Sequence, residues 1–145
     1  MPTWTSRPAT DDDAGYVRTL RRTTMQTDVE RLGFAMDDPD LQDWLDSFAV
    51  GSTRIIEVDG EPAAVIAVRS EPEEVWLEHF YVDPRHQGRG LGTAVLKAVL
   101  DEVTDHRPVR LLVIQGSSAR RLYERHGFVW ERFDDEADEV LVRHA

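Results

Sequence analysis

The stretch Phe80-Tyr81-Val82-Asp83-Pro84-Arg85-His86-Gln87-Gly88-Arg89-Gly90-Leu91-Gly92-Thr93 decides how the rest of the chain is read. It opens on aromatic and β-branched residues suited to a strand end, breaks at Asp83-Pro84, and places three glycines at alternate positions just before an apolar helical pattern. Without Cβ atoms, Gly88, Gly90 and Gly92 can take backbone angles closed to other residues and let a ligand approach closely. Their N–H groups can face one concavity, which, backed by a helix N-terminal dipole, suits a phosphate or pyrophosphate. Arg85 and Arg89 either add charge to that grip or face solvent. A Walker A loop is excluded, because Leu91-Gly92 stands where a Lys-Ser/Thr ending is needed. The G-x-G-x-G spacing also differs from the dinucleotide fingerprint G-x-G-x-x-G, and it follows a meander instead of opening the fold.

Upstream, Thr53 to Val58 and Pro62 to Arg69 read as strands flanking the hairpin signal Asp59-Gly60, and Glu74 to Val82 as a third strand of the meander. Thr3 to Ser6 suits a short first strand. Asp11-Asp12-Asp13 then precede a helix to about Arg31 whose apolar stripe is Val17, Leu20 and Thr24, with Arg18, Arg21 and Arg22 read as solvated. A second helix starts at Asp38-Pro39 and carries Leu41, Trp44, Leu45 and Phe48 at helical spacing. Downstream, Leu91, Val95, Ala98, Val99 and Val103 mark a strong helix. It leads to a buried strand, Val109 to Ile114, so strand, helix and strand make a right-handed parallel crossover. Ser117 to His126 predicts a helix stopped by Gly127, and Phe128 to Phe133 and Val140 to His144 predict two strands around an acidic turn. The expectation is one α/β (α+β) domain over residues 1–145, with a mixed sheet of about seven strands and helices on its faces.

The chain has 145 residues, 41% hydrophobic, and no cysteine. This excludes disulfides, thiolate metal sites and a cysteine acyl-enzyme. Its five histidines have no metal-binding spacing, so no metal is expected. A net charge of −11 argues against nucleic acid or an anionic membrane; it suits either a cationic partner or solubility alone, and ranks substrates weakly. No apolar run approaches the roughly 20 residues of a membrane span, and Met1-Pro2-Thr3-Trp4 is unlike a signal peptide, so a cytoplasmic location is expected.

Gln87, Gly90 and Gly92 match the Q/R-x-x-G-x-G/A hallmark of the GNAT superfamily of acyl-CoA N-acyltransferases. Phe80-Tyr81-Val82-Asp83-Pro84 resembles the end of that family's fourth strand, and Leu122-Tyr123-Glu124-Arg125-His126-Gly127-Phe128 resembles its LYE..GF segment. The two motifs stand in the right order about 30 residues apart, and the likeness covers the second strand to the end of the chain. Residues 1–50 match only in layout. One departure is Gly116, where related sequences often carry asparagine; Ser117 or Ser118 is a partial substitute.

The resemblance implies acetyl-CoA as cosubstrate, a fourth and fifth strand that splay to admit pantetheine, and a bulge near residues 79 to 81. It implies cofactor contacts from Phe80, Tyr81, Val82, Gln87, Gly88, Arg89, Gly90, Leu91, Gly92, Thr93, Ser118, Ala119 and Tyr123. An alkylamine acceptor, with a pKa of about 10.4, must lose a proton before it attacks. Glu78 is the first candidate base, with His79 or a water relay as alternatives, and Tyr123 is the acid for the departing thiolate. Met25, Phe34, Trp44 and His79 are candidates for the acceptor side. The amine is a small molecule, a protein lysine or an N-terminus, attacked directly in a ternary complex. The last strands are available to pair across a homodimer. A non-catalytic CoA-binding sensor or docking module, or a non-CoA nucleotide-binding protein, are the competing readings.

Overall fold

The computed structural model describes residues 3–135 and 137–145. Its strands are β1 (Trp4–Pro8), β2 (Thr53–Val58), β3 (Glu61–Ser70), β4 (Val75–Val82), β5 (Val109–Ile114), β6 (Val129–Phe133) and β7 (Asp138–Arg143). The helices are α1 (Ala14–Arg31), α2 (Pro39–Asp46), α3 (Leu91–Asp101) and α4 (Ala119–Arg125). The seven strands form one mixed sheet in the order β1-β2-β3-β4-β5-β7-β6. Contacts divide the chain into two units: residues up to Ala67 with His79–Leu91, and Val68–Glu78 with Gly92–Ala145.

In the first unit, β1 and β2 pair antiparallel from Trp4↔Val58 to Pro8↔Arg54, and β2 turns into β3 through Asp59-Gly60. Both turn residues have positive φ, 54° and 79°, as a tight two-residue hairpin requires. The core of this unit gathers Ala9, Val17, Leu20, Ile55 and Val65, with Tyr16, Phe48 and Tyr81 packed on it. Asp13, only 8% exposed, takes two bonds of 2.9 Å from Arg7 and one of 2.8 Å from the Thr10 N–H. That carboxylate anchors the start of α1. The expected Asp38 cap of α2 is present, its side chain accepting from the N–H groups of Asp40 and Leu41.

In the second unit, β4 and β5 pair in parallel over Val75–Leu77 and Val109–Leu111. The ladder ends there, although β4 runs on to Val82 and β5 to Ile114. β7 pairs antiparallel with β5 along its whole length and with β6 on its other side, where Glu131 is an extra residue between the pairs Trp130↔Leu141 and Arg132↔Val140. Val95, Leu96, Val99 and Leu100 of α3 are buried, as their helical spacing predicts.

One reading is corrected. Arg21, expected to be solvated, is 2% exposed and among the largest fully buried side chains. Val17, Leu20, Arg21 and Thr24 fall at i, i+3, i+4 and i+7, so Arg21 occupies the buried stripe itself. Its Nη1 meets the backbone carbonyls of Trp44, Leu45 and Ser47.

Candidate active site

The loop after β4 is shaped by its glycines and held by the side chains of Asp83 and Gln87. The Asp83 N–H donates to the carbonyl of Ala63, 2.8 Å, and the Asp83 side chain caps the short 3-10 turn Pro84–His86 by accepting from the Arg85 N–H. The Arg85 guanidinium returns to Asp83 at 3.1 Å, and these hydrogen bonds hold the Asp83 carboxyl below its ordinary range. Tyr16 of α1 donates to the same carboxylate, 3.4 Å, while burial and then the Asp83 charge push its phenol up. Gln87 Nε2 donates to the Val82 carbonyl, 3.0 Å, folding the loop back on the strand end. Gly88 and Gly90 stand at φ 77° and 80°, where an L side chain is strained.

The two arginines of this loop therefore differ. Arg85 is engaged by Asp83, whereas Arg89 is exposed and, among the described residues, makes no ion pair. Leu91 is 1% exposed, so its side chain belongs to the core and only its N–H is available to an anion. Left-handed glycines, a helix start and an uncommitted guanidinium fit a pyrophosphate.

His79 sits at φ 51° in the middle of β4 and interrupts the alternation of side chains along the strand. The irregularity falls within the segment where the resemblance implies a bulge. The His79 ring lies 5.9 Å from that of Trp44 and 6.3 Å from that of Tyr81, with Nδ1 3.5 Å from the Tyr81 hydroxyl. Trp44, His79 and Tyr81 thus form one aromatic group. Trp44 is 40% exposed and Phe34, just beyond α1, is 41% exposed; Met25 is half-buried on α1.

Glu78, in the second unit, is bound to Arg69 of β3. Nε and Nη2 of Arg69 both end on Glu78 Oε1, at 3.0 and 2.8 Å. Arg69 also pairs with Glu71 and lies 5.7 Å from the centre of the Trp76 ring. Sequence reasoning did not find this arginine as a partner of Glu78. The alternation of β4 places Trp76 and Glu78 on one side, and only the register with β3 brings Arg69 to them.

Tyr123 is 7% exposed on α4, its ring edge-on to Phe128 at 5.9 Å. Gly127 at φ 91° ends the helix as expected. Ahead of α4, Gly116 stands at φ 76°. Asparagine tolerates that conformation and glycine adopts it freely, so the substitution preserves the backbone path while removing an amide. Ser117 Oγ, rather than Ser118, accepts from the Ala119 N–H, 3.2 Å. Ser118 and Thr93 are exposed. Among the described residues no group of three or more His, Cys, Asp or Glu side chains could hold a metal ion, and no helix is long and apolar enough to cross a membrane.

A seven-stranded mixed sheet with a parallel β4/β5 pair, and a glycine loop between β4 and α3, is the architecture that the resemblance implies. Residues 17–128 match the acetyltransferase (GNAT) family, and the chain belongs to that family. Relatives include a spermine/spermidine N(1)-acetyltransferase of Bacillus subtilis (strain 168), 34% identical over a match 74 residues long that covers 48% of this chain and 49% of that protein. A probable spermine N(1)-acetyltransferase of Bacillus subtilis subsp. natto (strain BEST195) is 32% identical over the same shares. The match spans about half the length of these relatives. Among solved structures, PaiA N-acetyltransferase from Thermoplasma acidophilum in complex with coenzyme A is similar in fold, with a TM-score of 0.78 and 14% identity over 99% of each chain. An acetyltransferase from Thermus thermophilus gives 0.75 and 19% over 100% of each.

Proposed function

We propose that this chain moves the acetyl group of acetyl-CoA to a primary amine by direct attack in a ternary complex, and that the acceptor is a cationic polyamine-like amine. The observation that carries the reading is the loop Gln87–Gly92, with Gly88 and Gly90 left-handed and Arg89 uncommitted, in a chain of the GNAT family. The polyamine class is supported by the B. subtilis relatives and by the net charge of −11.

Acetyl-CoA supplies the activated carbonyl and a thiolate leaving group. The N–H groups around Gly88 to Gly92 and the Arg89 guanidinium neutralise the pyrophosphate. The backbone N–H of Phe80 or Val82 polarises the thioester carbonyl, a fixed dipole that costs no reorganisation during the reaction. Glu78 takes the proton of the ammonium acceptor, directly or through a water; both Arg69 bonds end on Oε1, and Oε2 is the oxygen assigned to this task. Tyr123 returns a proton to sulfur. Transfer forms one C–N bond and breaks one C–S bond; starting from the ammonium, nitrogen gives up two protons, one through Glu78 to solvent and one as the amide forms, while Tyr123 places one on sulfur and is reprotonated, so one net proton is released.

The test is release of free thiol from acetyl-CoA with spermidine, spermine, lysine peptides and neutral amines as acceptors. Turnover highest with the polyamines is expected. Turnover with none overturns the activity, and calorimetric binding of acetyl-CoA without turnover assigns the chain to a CoA-sensing role. Stabilisation by ATP or NAD beyond that by CoA overturns the cofactor assignment.

A further inference from the structure

Arg21 lies mid-helix in α1 at 2% exposure, and a guanidinium at such a position must be compensated. Its Nη1 donates to the carbonyls of Trp44, Leu45 and Ser47 at 2.9, 3.0 and 2.7 Å, and contacts Ser47 Oγ at 3.1 Å. These carbonyls close α2, whose last turn contains no basic residue of its own. A helix end leaves such groups without intrahelical partners, and here a cation on another helix collects them. The Arg21 Cζ is 5.6 Å from the centre of the Trp44 ring and 5.9 Å from that of Tyr81. Burial pushes the guanidinium below its ordinary value, with Tyr81 and Asp46 opposing.

The arrangement is poor as packing for its own sake. Nε is buried and, among the described residues, has no hydrogen-bond partner. A methionine or leucine would fill much of the same stripe with no orphaned donor. What the arginine adds is orientation. It fixes the α2 end that carries Trp44 and the ring of Tyr81, and these two rings flank His79.

We infer that Arg21 is a positioning residue for the acceptor amine: by fixing Trp44 and Tyr81 it sets the orientation of His79, and so shapes the acceptor side without touching the acetyl donor. The inference rests on the reading that an amine is acetylated beside Trp44 and His79.

The experiment compares Arg21→Met and Arg21→Lys with the wild type, using spermidine as acceptor. Arg21→Met should raise the spermidine KM about tenfold or more while the acetyl-CoA KM stays within about twofold. Arg21→Lys keeps the cation near the rings but loses the planar fork, so it should recover most of the loss, to about threefold. Without any acceptor, the imidazole NMR signals of His79, assigned with His79→Gln, should be displaced in Arg21→Met and part-way displaced in Arg21→Lys. An unchanged spermidine KM, both KM values rising by the same factor, or unmoved His79 signals would overturn the inference. Should Arg21→Met fail to fold, Arg21→Lys decides alone: a raised acceptor KM with displaced signals supports the role, and wild-type values refute it. If the wild type acetylates no amine while the His79 signals still move, the functional reading fails and the ring-fixing geometry stands by itself.

Discussion

The loop from Val82 to Leu91 and the helical layer of α1 and α2 belong to the same compact unit but are held in opposite ways. The loop takes its path from two left-handed glycines and a short turn capped by Asp83, and it leaves backbone N–H groups and Arg89 uncommitted to present to a ligand. The helical layer owes its arrangement to side chains, above all one buried guanidinium gathering three carbonyls and two rings. A backbone-built grip suits a ligand moiety that is the same in every reaction, such as a pyrophosphate. A side-chain-built wall can change with each substitution, which suits selection among acceptors.

The largest expected effect comes from breaking the loop. Gly90→Val forces a β-branched residue into φ near 80°, where it is strained. The acetyl-CoA KM should rise about a hundredfold or more, with the fold retained by circular dichroism. Calorimetry with CoA provides the check. Unchanged CoA affinity would mean that the grip lies elsewhere and that the contrast between the two regions is wrong.

The identity of the base sharpens the contrast between donor and acceptor chemistry. Removing a general base costs about 10²–10⁴ in rate, so Glu78→Gln should lower kcat by about a hundredfold with little change in either KM. His79→Gln should cost less in kcat and act chiefly on the acceptor KM, as expected of a group on the acceptor side. If the two results are exchanged in steady-state kinetics, His79 is the base and Glu78 serves as the partner of Arg69.

What is legible in the sequence follows the same division. The hairpin at Asp59-Gly60, the Asp38 cap, the β5 run and the glycine loop are readable because each depends on residues close in sequence with distinctive backbone demands. Arg21 escapes such a reading because its partners are carbonyls of residues 44, 45 and 47, and a carbonyl carries no side-chain signature. Its i, i+4 spacing from Val17 is the available signal. The pairing of Arg69 with Glu78 depends on strand register. Histidine enters the left-handed region more often than most residues, yet it does so rarely in absolute terms, so the break at His79 is indicated only by the resemblance to the family.

The smallest effect tests whether the helical layer can be loosened without disturbing the loop. Hydrogen bonds from Arg7, then the Thr10 N–H, outweigh burial and lower the Asp13 carboxyl to about 2. The ordinary value of a free aspartate is about 3.9. Because the folded value is the lower one, the stabilisation is complete above about pH 4 and is lost as pH falls through about 2. Asp13→Asn should therefore cost about 1–2 kcal/mol at pH 7, a fall in Tm of roughly 3–6 °C, and the gap from wild type should close between about pH 4 and pH 2. Thermal melts across that range provide the measurement. Asp13 makes no hydrogen bond to the loop among the described residues, although Tyr16 of α1 reaches the loop's Asp83; the acetyl-CoA KM should stay at its wild-type value at neutral pH, and a rise there would mean that the Tyr16–Asp83 contact carries the loosening of α1 to the donor side.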